Sequence, residues 1–223
     1  MNLMRGVSVY ISNSYIHVRS ADELTALSSG VVGGGFQKTR HILNWHVGKD
    51  YFGVNPALDL KKFARGVNIN EKFIGMMTAA KIGMTQPVTL SEHGLTVCAI
   101  ITVGLGNSTC AGITEPHLPE PQAGTINAIV ILDARLTRSA MVNAVITATE
   151  AKSATLQESN KRTKDGDPAT GTSTDSIAIA ATNRGRLFKY AGSVSLPGWL
   201  IACAVREAMS KALKDSIVHQ FVG

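Results

Sequence analysis

The chain has 223 residues, of which 44% are hydrophobic and 17% charged, and its formal net charge is +6. This length allows one large domain or two small ones, and the composition excludes an intrinsically disordered protein. The basic residues are spread along the chain and aromatic residues make up only 5%, so we expect no nucleic-acid partner.

The first half of the chain is dominated by patterns typical of strands, in which Val, Ile and Tyr alternate with polar residues. In chain order they predict one or two strands over 7–18, broken at 12–14, then strands at 42–47 and 95–103 and short helices at 59–64 and 71–81. Three consecutive glycines, Gly33 to Gly35, indicate a flexible backbone element between the first two strands.

The second half contains the long helices. We predict strands at 124–132 and 177–181, a helix from Thr137 to Gln157 with Thr137 as its cap, and a helix at 197–219. The proline-rich segment 115–122 predicts an irregular loop. Because strands precede the long helices, we expect an α+β fold. We expect a single layered domain over residues 1–223, with a mixed or antiparallel sheet covered by the long helices.

The three cysteines are widely spaced and form no Cys/His pattern that binds metal, so no metal site is predicted. Cys98 and Cys203 lie in apolar runs, which is typical of buried thiols, and Cys110 in a turn-like segment is the one candidate for a reactive thiol. No apolar run is long enough to cross a bilayer and the N-terminus lacks an apolar signal core, so we expect a cytoplasmic protein without a membrane partner.

The most unusual segment is the loop at 169–175, just before the last predicted strand. It places four hydroxyls, a glycine and an acid within seven positions: Thr170, Gly171, Thr172, Ser173, Thr174 and Asp175. Backbone and hydroxyl groups can both approach a ligand closely on such a loop, which indicates a site for a polar group. The alternative is a long polar connection without a ligand.

Lys152 is out of place on the long predicted helix. By helical spacing it shares a stripe with Val142, Val145, Thr149 and Leu156, which we expect to face the core. An unpaired ammonium there would be costly. The amine therefore either extends to the surface or pairs with a carboxylate, for which Asp175 and Glu150 are the candidates.

Four further polar residues lie in or beside predicted strands. Asn127 interrupts an apolar strand, Asn44 and His46 share an earlier one, and Asn107 lies in a turn after the third. A buried amide needs hydrogen-bond partners, so Asn127 either braces a neighbouring loop or contacts a ligand, and Asn44 and His46 raise the same question.

Several of these segments, taken in order, resemble the adenosylcobinamide amidohydrolases of corrinoid salvage. The resemblance runs from about residue 20 to the C-terminal helix, through the segments 27–35, 44–47, 106–108, 124–127, 149–152, 169–175 and 190–192. It implies hydrolysis of the amide that joins aminopropanol to the corrin ring of adenosylcobinamide. The products would be adenosylcobyric acid and 1-amino-2-propanol. The corrinoid is then the substrate, and no cofactor is predicted.

The resemblance also suggests roles for the candidate residues. Glu150 or Asp175 would act as general base on water, and Lys152 would steady the oxyanion together with the loop. The residues expected to bind or orient the substrate are His46, Asn44, Asn107, Asn127, Thr170, Gly171, Thr172, Ser173 and Thr174. In a competing mechanism Ser173 or Thr174 is a covalent nucleophile and Lys152 its base.

Two other functions remain open at this point. A non-catalytic corrinoid-binding module would keep the small-residue loops but would not need Glu150, Lys152 and Asp175 together. An enzyme acting on another amide or on a phosphorylated small molecule would use the same loop for a different group. A flat corrinoid needs a wide cleft, which the Gly33–Gly35 and Pro116–Pro121 loops could border. The sequence predicts no oligomeric state.

Overall fold

The computed structural model describes residues 1–116 and 124–218. Its strands are β1 (Asn2–Met4), β2 (Val7–Ile11), β3 (Tyr15–Ser28), β4 (Gly35–His46), β5 (Phe73–Thr78), β6 (Val88–Glu92), β7 (Leu95–Val103), β8 (Ser108–Thr109), β9 (Ile126–Leu132), β10 (Arg135–Leu136), β11 (Gly171–Thr172), β12 (Ser176–Ala181) and β13 (Leu187–Phe188). The helices are α1 (Pro56–Gly66), α2 (Arg138–Glu158) and α3 (Leu196–Val218).

One large mixed sheet curls back on itself and is nearly closed. Its order is β1-β2-β3-β12-β9-β7-β6, and β4 joins β3 to β5 on a branch. The pairs β4–β5 and β12–β9 are parallel, whereas β3 pairs antiparallel with β2, β4 and β12. The predicted α+β class with a mixed sheet is therefore confirmed.

The halves of the sheet face each other across an apolar core. That core holds Ile16 and Ile42 from one half and Ile100 and Ile129 from the other. Residues on the opposite face of β7 and β9 pack against α2 and α3, because side chains alternate between the faces of a strand. Helix α1 covers the other outer face, against β4 and β5. The fold thus has two sheet layers between helices.

The predicted strands and helices are confirmed in all but one place. Thr137 caps α2 by accepting a hydrogen bond from the backbone N–H of Ala140, at 3.1 Å. The last predicted helix corresponds to α3, except that residue 219 lies outside the described residues. Of the loop predicted at 115–122, residues 117–122 also lie outside the described residues.

The short helix predicted at 71–81 is wrong, because this segment contains strand β5. Nearly every residue of β5 is buried, with one side against the core between the sheet halves and the other against α1. A run that is apolar on both faces does not show the alternation of a half-exposed strand.

The core-facing stripe predicted for α2 is also wrong. Val142 and Thr149 are exposed, and the buried residues are mostly small: Ala140, Met141, Ala144, Thr147, Ala148, Ala151, Thr155 and Leu156. Alanines let the helix backbone lie close to the sheet and to α3. The prediction relied on hydrophobicity, which favours valine over alanine, and therefore placed the wrong face of α2 against the core.

The cysteines differ in their environments. Cys98 is fully buried, and this burial raises the pKa of its thiol to about 11. Cys110 is buried too, whereas Cys203 is only half-buried on α3, contrary to the prediction. Among the described residues we find no cluster of three or more metal-binding side chains and no helix long and apolar enough to cross a membrane.

The close approach of α2 leads to a test. Ala148→Leu should lower the free energy of unfolding by about 1–3 kcal/mol, because the added atoms have no room under the helix. Thr149→Leu, at the exposed neighbouring position, should change it by less than about 0.5 kcal/mol. Urea unfolding measures both. Equal effects at the two positions would contradict the packing described here.

Candidate active site

An ion pair between Lys152 and Asp175 lies at the centre of the candidate site. The Lys152 ammonium, from the last third of α2, contacts Asp175 Oδ2 just before β12. The two side chains are only 15% and 20% exposed. Of the two alternatives for Lys152, pairing with a carboxylate is therefore confirmed, and the partner is Asp175.

The other carboxylate oxygen of Asp175 organises the loop around it. Asp175 Oδ1 accepts hydrogen bonds from the backbone N–H of Ile126 at 3.0 Å and of Thr172 at 3.1 Å. It also accepts one from the Thr172 hydroxyl at 2.5 Å. Oδ1 thus joins the start of β9 to the 171–175 loop, while Oδ2 holds α2.

Gly171 leaves the space that the ion pair occupies. A Cβ added there would lie within 2.6 Å of Lys152 Nζ and closer still to Asp175 Oδ2. A side chain at this position would therefore displace the Lys152 ammonium or the Asp175 carboxylate from the ion pair. Gly171 also pairs with Thr109 through the short antiparallel pair β8–β11, which fixes the loop beside the 105–110 turn.

The remaining loop residues make hydrogen bonds to neighbouring segments. Ser153 on α2 donates to the carbonyl of Thr170 at 2.8 Å, and the Thr170 hydroxyl accepts from the N–H of Ala111 at 2.9 Å. Asn107 donates through Nδ2 to the Ser173 hydroxyl at 2.8 Å. The structure thus brings together all the candidates of the 170–175 loop, with Lys152 and Asn107.

Asn44 and Asn127 lie directly below this site, inside the core between the sheet halves. Asn127 Nδ2 donates to Asn44 Oδ1 at 2.8 Å and to the carbonyl of Met77 at 2.9 Å, and Asn44 Nδ2 donates to Thr102 at 3.1 Å. Both amides are about 1% exposed. They bridge the halves of the sheet, and their donors are used by protein partners.

A cavity of about 310 Å³ opens beside the ion pair, where the two halves of the sheet meet. One wall consists of the end of β5 and the segment after it, and the other of residues 124–125 and 174–176. The remaining lining residues come from two loops: Ser29, Val31, Val47, Gly48, Lys49, Tyr51 and Pro56. Asp175 and the exposed Thr174 thus face a pocket large enough for an arm of a ligand.

Tyr51 holds one of these loops in place. Its hydroxyl donates to Asp59 on α1 at 2.8 Å, and its ring lies 6.0 Å from that of Trp45. Burial raises the pKa of Tyr51 to about 12, and the hydrogen bond to Asp59 contributes to the rise. Tyr51 is therefore a neutral hydrogen-bond donor at ordinary pH.

Other candidates lie apart from this centre. Glu150 is exposed, two residues from Lys152 and therefore roughly on the opposite side of α2. His46 is half-buried at the end of β4, and its Nδ1 has no hydrogen-bond partner among the described residues. Gly33 lines a separate cavity of about 400 Å³, together with the basic residues Lys61, Arg65 and Lys72.

Sequence reasoning missed Thr125 and Ser153. The Thr125 hydroxyl donates to the carbonyl of Thr174 at 2.8 Å and to Asn127 Oδ1 at 3.3 Å, so it links the loop to the buried amides. Ser153 follows Lys152 directly on α2. A search for hydroxyls next to the anomalous lysine and asparagine would have found both residues.

A family profile and two related sequences identify one family. Residues 1–219 match the family profile described as adenosylcobinamide amidohydrolase (CbiZ). An adenosylcobinamide amidohydrolase of Methanosarcina mazei is 31% identical over 158 residues, which are 71% of this chain and 70% of that protein. One of Halobacterium salinarum is 31% identical over 122 residues, 52% of this chain and 50% of that protein. The crystal structure of the PH0078 protein from Pyrococcus horikoshii covers 94% of this chain and 84% of its own, with a TM-score of 0.49 and 15% identity.

The space at Gly171 leads to a second test. Gly171→Ala should separate Lys152 from Asp175; if this pair takes part in catalysis, turnover falls by about 100-fold. Gly66→Ala is the matched control, because a Cβ at Gly66 meets no atom within 4 Å. Steady-state kinetics and urea unfolding of both variants separate a displaced site from an unfolded chain. Normal turnover by folded Gly171→Ala would exclude a catalytic role for the Lys152–Asp175 pair.

Proposed function

The chain belongs to the adenosylcobinamide amidohydrolase family, and from this premise we propose that the Lys152–Asp175 pair is its catalytic centre. The reaction is hydrolysis of the amide between the corrin ring's propionyl arm and aminopropanol, and it serves the salvage of cobinamide. Water adds to the amide carbon and the C–N bond breaks, which yields adenosylcobyric acid and 1-amino-2-propanol. The observation that carries the proposal is a largely buried ion pair whose carboxylate lines a cavity.

Asp175 acts as the general base in this proposal. Its Oδ1 already accepts three hydrogen bonds, whereas Oδ2 accepts one, from Lys152, among the described residues. A carboxylate oxygen has two lone pairs, so Oδ2 retains one for a water molecule in the cavity. Asp175 takes the proton of this water as the oxygen attacks the amide carbon.

Lys152 stabilises the negative charge that develops on the amide oxygen. An ammonium has three N–H donors, and Asp175 is the partner found for one of them in the described part of the chain. The remaining donors can bind the oxyanion, where low exposure to water strengthens the interaction. The proton taken up by Asp175 then passes to the departing amine.

The cavity is proposed to hold the scissile arm of the substrate. Thr174 lines the cavity, and Ser173, which is hydrogen-bonded to Asn107, precedes it on the same loop. These hydroxyl and amide groups suit an arm with an amide at one end and a hydroxyl at the other. Asn44 and Asn127 are buried and hydrogen-bonded, so we assign them to the support of the cavity floor.

The contributions of the candidate acids can be separated by mutation. Asp175→Asn should reduce kcat for adenosylcobinamide by about 10²–10⁴-fold, because it removes the base while keeping the shape of the side chain. Lys152→Met should reduce kcat by about 10²–10³-fold. Glu150→Gln, on the exposed side of α2, should remain within about twofold of the unmodified enzyme.

Release of 1-amino-2-propanol, followed by mass spectrometry, measures all three rates. A large loss in Glu150→Gln together with activity in Asp175→Asn would transfer the role of base to Glu150. Binding of the coloured corrinoid without any release by the unmodified protein would instead favour a non-catalytic module.

A covalent mechanism through Thr174 is the second candidate, since this exposed residue lines the cavity next to Asp175. Its hydroxyl donates a hydrogen bond to the carbonyl of Gly124 at 2.7 Å. The hydroxyl proton is therefore directed at the backbone and not at a base, which disfavours Thr174 as a nucleophile. In the water mechanism Thr174→Val should lower kcat by less than about tenfold, because one substrate contact is lost. Loss of all turnover in folded Thr174→Val, and a protein-bound corrinoid adduct in rapidly quenched samples of the unmodified enzyme, would establish the covalent route.

A further inference from the structure

The cavity beside the ion pair is much smaller than the substrate of this family. At about 310 Å³ it lies at the lower end of ligand pockets, which range over roughly 300–1,000 Å³ for drug-sized molecules. Adenosylcobinamide carries a corrin macrocycle, several amide arms and an adenosyl group, and so exceeds a drug-sized molecule. The cavity can take one arm, and the macrocycle must lie outside it.

The two loops that line the cavity carry several exposed apolar side chains. Val31 lines the cavity and is 48% exposed, and Phe52 is 68% exposed in the loop that supplies Tyr51 to the cavity wall. Val54, two residues further on, is fully exposed. Large apolar side chains grouped at the mouth of a pocket mark a binding surface more often than isolated ones do. We refer to Val31, Tyr51, Phe52 and Val54 as the apolar rim.

The apolar rim is anchored to the walls of the cavity at both loops. Ser29 donates through its N–H to the carbonyl of Ile177 on β12 at 2.9 Å, and Val47 donates to the carbonyl of Thr78 on β5 at the same distance. The Tyr51 hydroxyl is bound by Asp59.

Gly53 lies against the Tyr51 hydroxyl, and a Cβ at position 53 would clash with it. The neighbouring residues Phe52 and Val54 are exposed to solvent. The two loops that carry the rim are therefore tied to the cavity walls and to α1.

We propose that the apolar rim binds the methyl-bearing face of the corrin macrocycle and thereby directs one arm into the cavity. This inference rests on the proposed function, since the cavity must receive the scissile arm. A flat macrocycle presents a broad apolar surface. Its contact with exposed valine and phenylalanine side chains removes apolar area of both partners from water, which favours binding. The rim supplies affinity for the ring, and the Lys152–Asp175 pair supplies the chemistry.

The test measures binding of adenosylcobyric acid, the coloured product, which keeps the macrocycle and is not hydrolysed. In equilibrium dialysis the double variant Phe52→Ala, Val54→Ser should raise its Kd by about tenfold or more. The KM for adenosylcobinamide should rise in parallel, with kcat within about threefold of the unmodified enzyme. Phe52→Leu should retain most of the affinity, because it keeps an apolar side chain.

Matched controls use exposed residues that are not in the lining of the cavity. Val194→Ser replaces another fully exposed valine, and Tyr10→Ala removes an aromatic side chain that is 56% exposed. Both should leave the Kd within about twofold. Urea unfolding of every variant excludes loss of the fold as the cause.

The outcomes separate this inference from the catalytic assignment. An unchanged Kd and KM in the double variant would overturn the role of the rim, even if Asp175→Asn is inactive. A weakened Kd together with full activity of Asp175→Asn and Lys152→Met would support the rim and overturn the catalytic centre. If sedimentation shows that the double variant dissociates an assembly of this chain while the Kd stays constant, the rim is a contact between copies and the proposal fails.

Discussion

Three parts of the chain that are distant in sequence converge on the carboxylate of Asp175. Helix α2 reaches it through Lys152, strand β9 through the N–H of Ile126, and the 171–175 loop through Thr172. A charge removed from water is tolerated only when it is paired and hydrogen-bonded. The placement of α2 over the sheet, the turn into β9 and the shape of the loop therefore depend on one another.

The buried amides give this arrangement a rigid base. Asn44 comes from one half of the sheet, and Asn127 and Thr102 from the other, so their hydrogen bonds join the halves at the end of the core nearest to the cavity. Apolar attraction is non-directional, and an amide pair, which is satisfied in only a few geometries, adds a directional constraint to the packing of the core. The position of the cavity wall at Met77 is set by the same network, because Asn127 also binds its carbonyl.

The pattern of the sequence was sufficient for most elements of the fold but not for all of the site. Alternation and helical spacing predicted β7, α2 and the cap at Thr137, since these depend on neighbours in the chain. They assigned β5 to a helix, because this strand is apolar on both faces. They also selected the wrong buried face of α2, where small alanine side chains allow close packing and contribute little hydrophobic surface. The pairing of Lys152 with Asp175 was one of the predicted alternatives because a lysine beside a core is costly. The contact between Asn44 and Asn127 was not predictable, since it arises only when the sheet curls.

The missing side chain at Gly171 has a consequence for how this protein can diverge. The volume that a methyl group would fill there is occupied by the lysine ammonium and its carboxylate partner. A descendant that lost the ammonium at position 152 would regain only part of this volume, because Asp175 Oδ2 would still clash with a Cβ at position 171. A larger residue at position 171 therefore requires that the lysine and the aspartate both move or change, so the three positions are sterically linked.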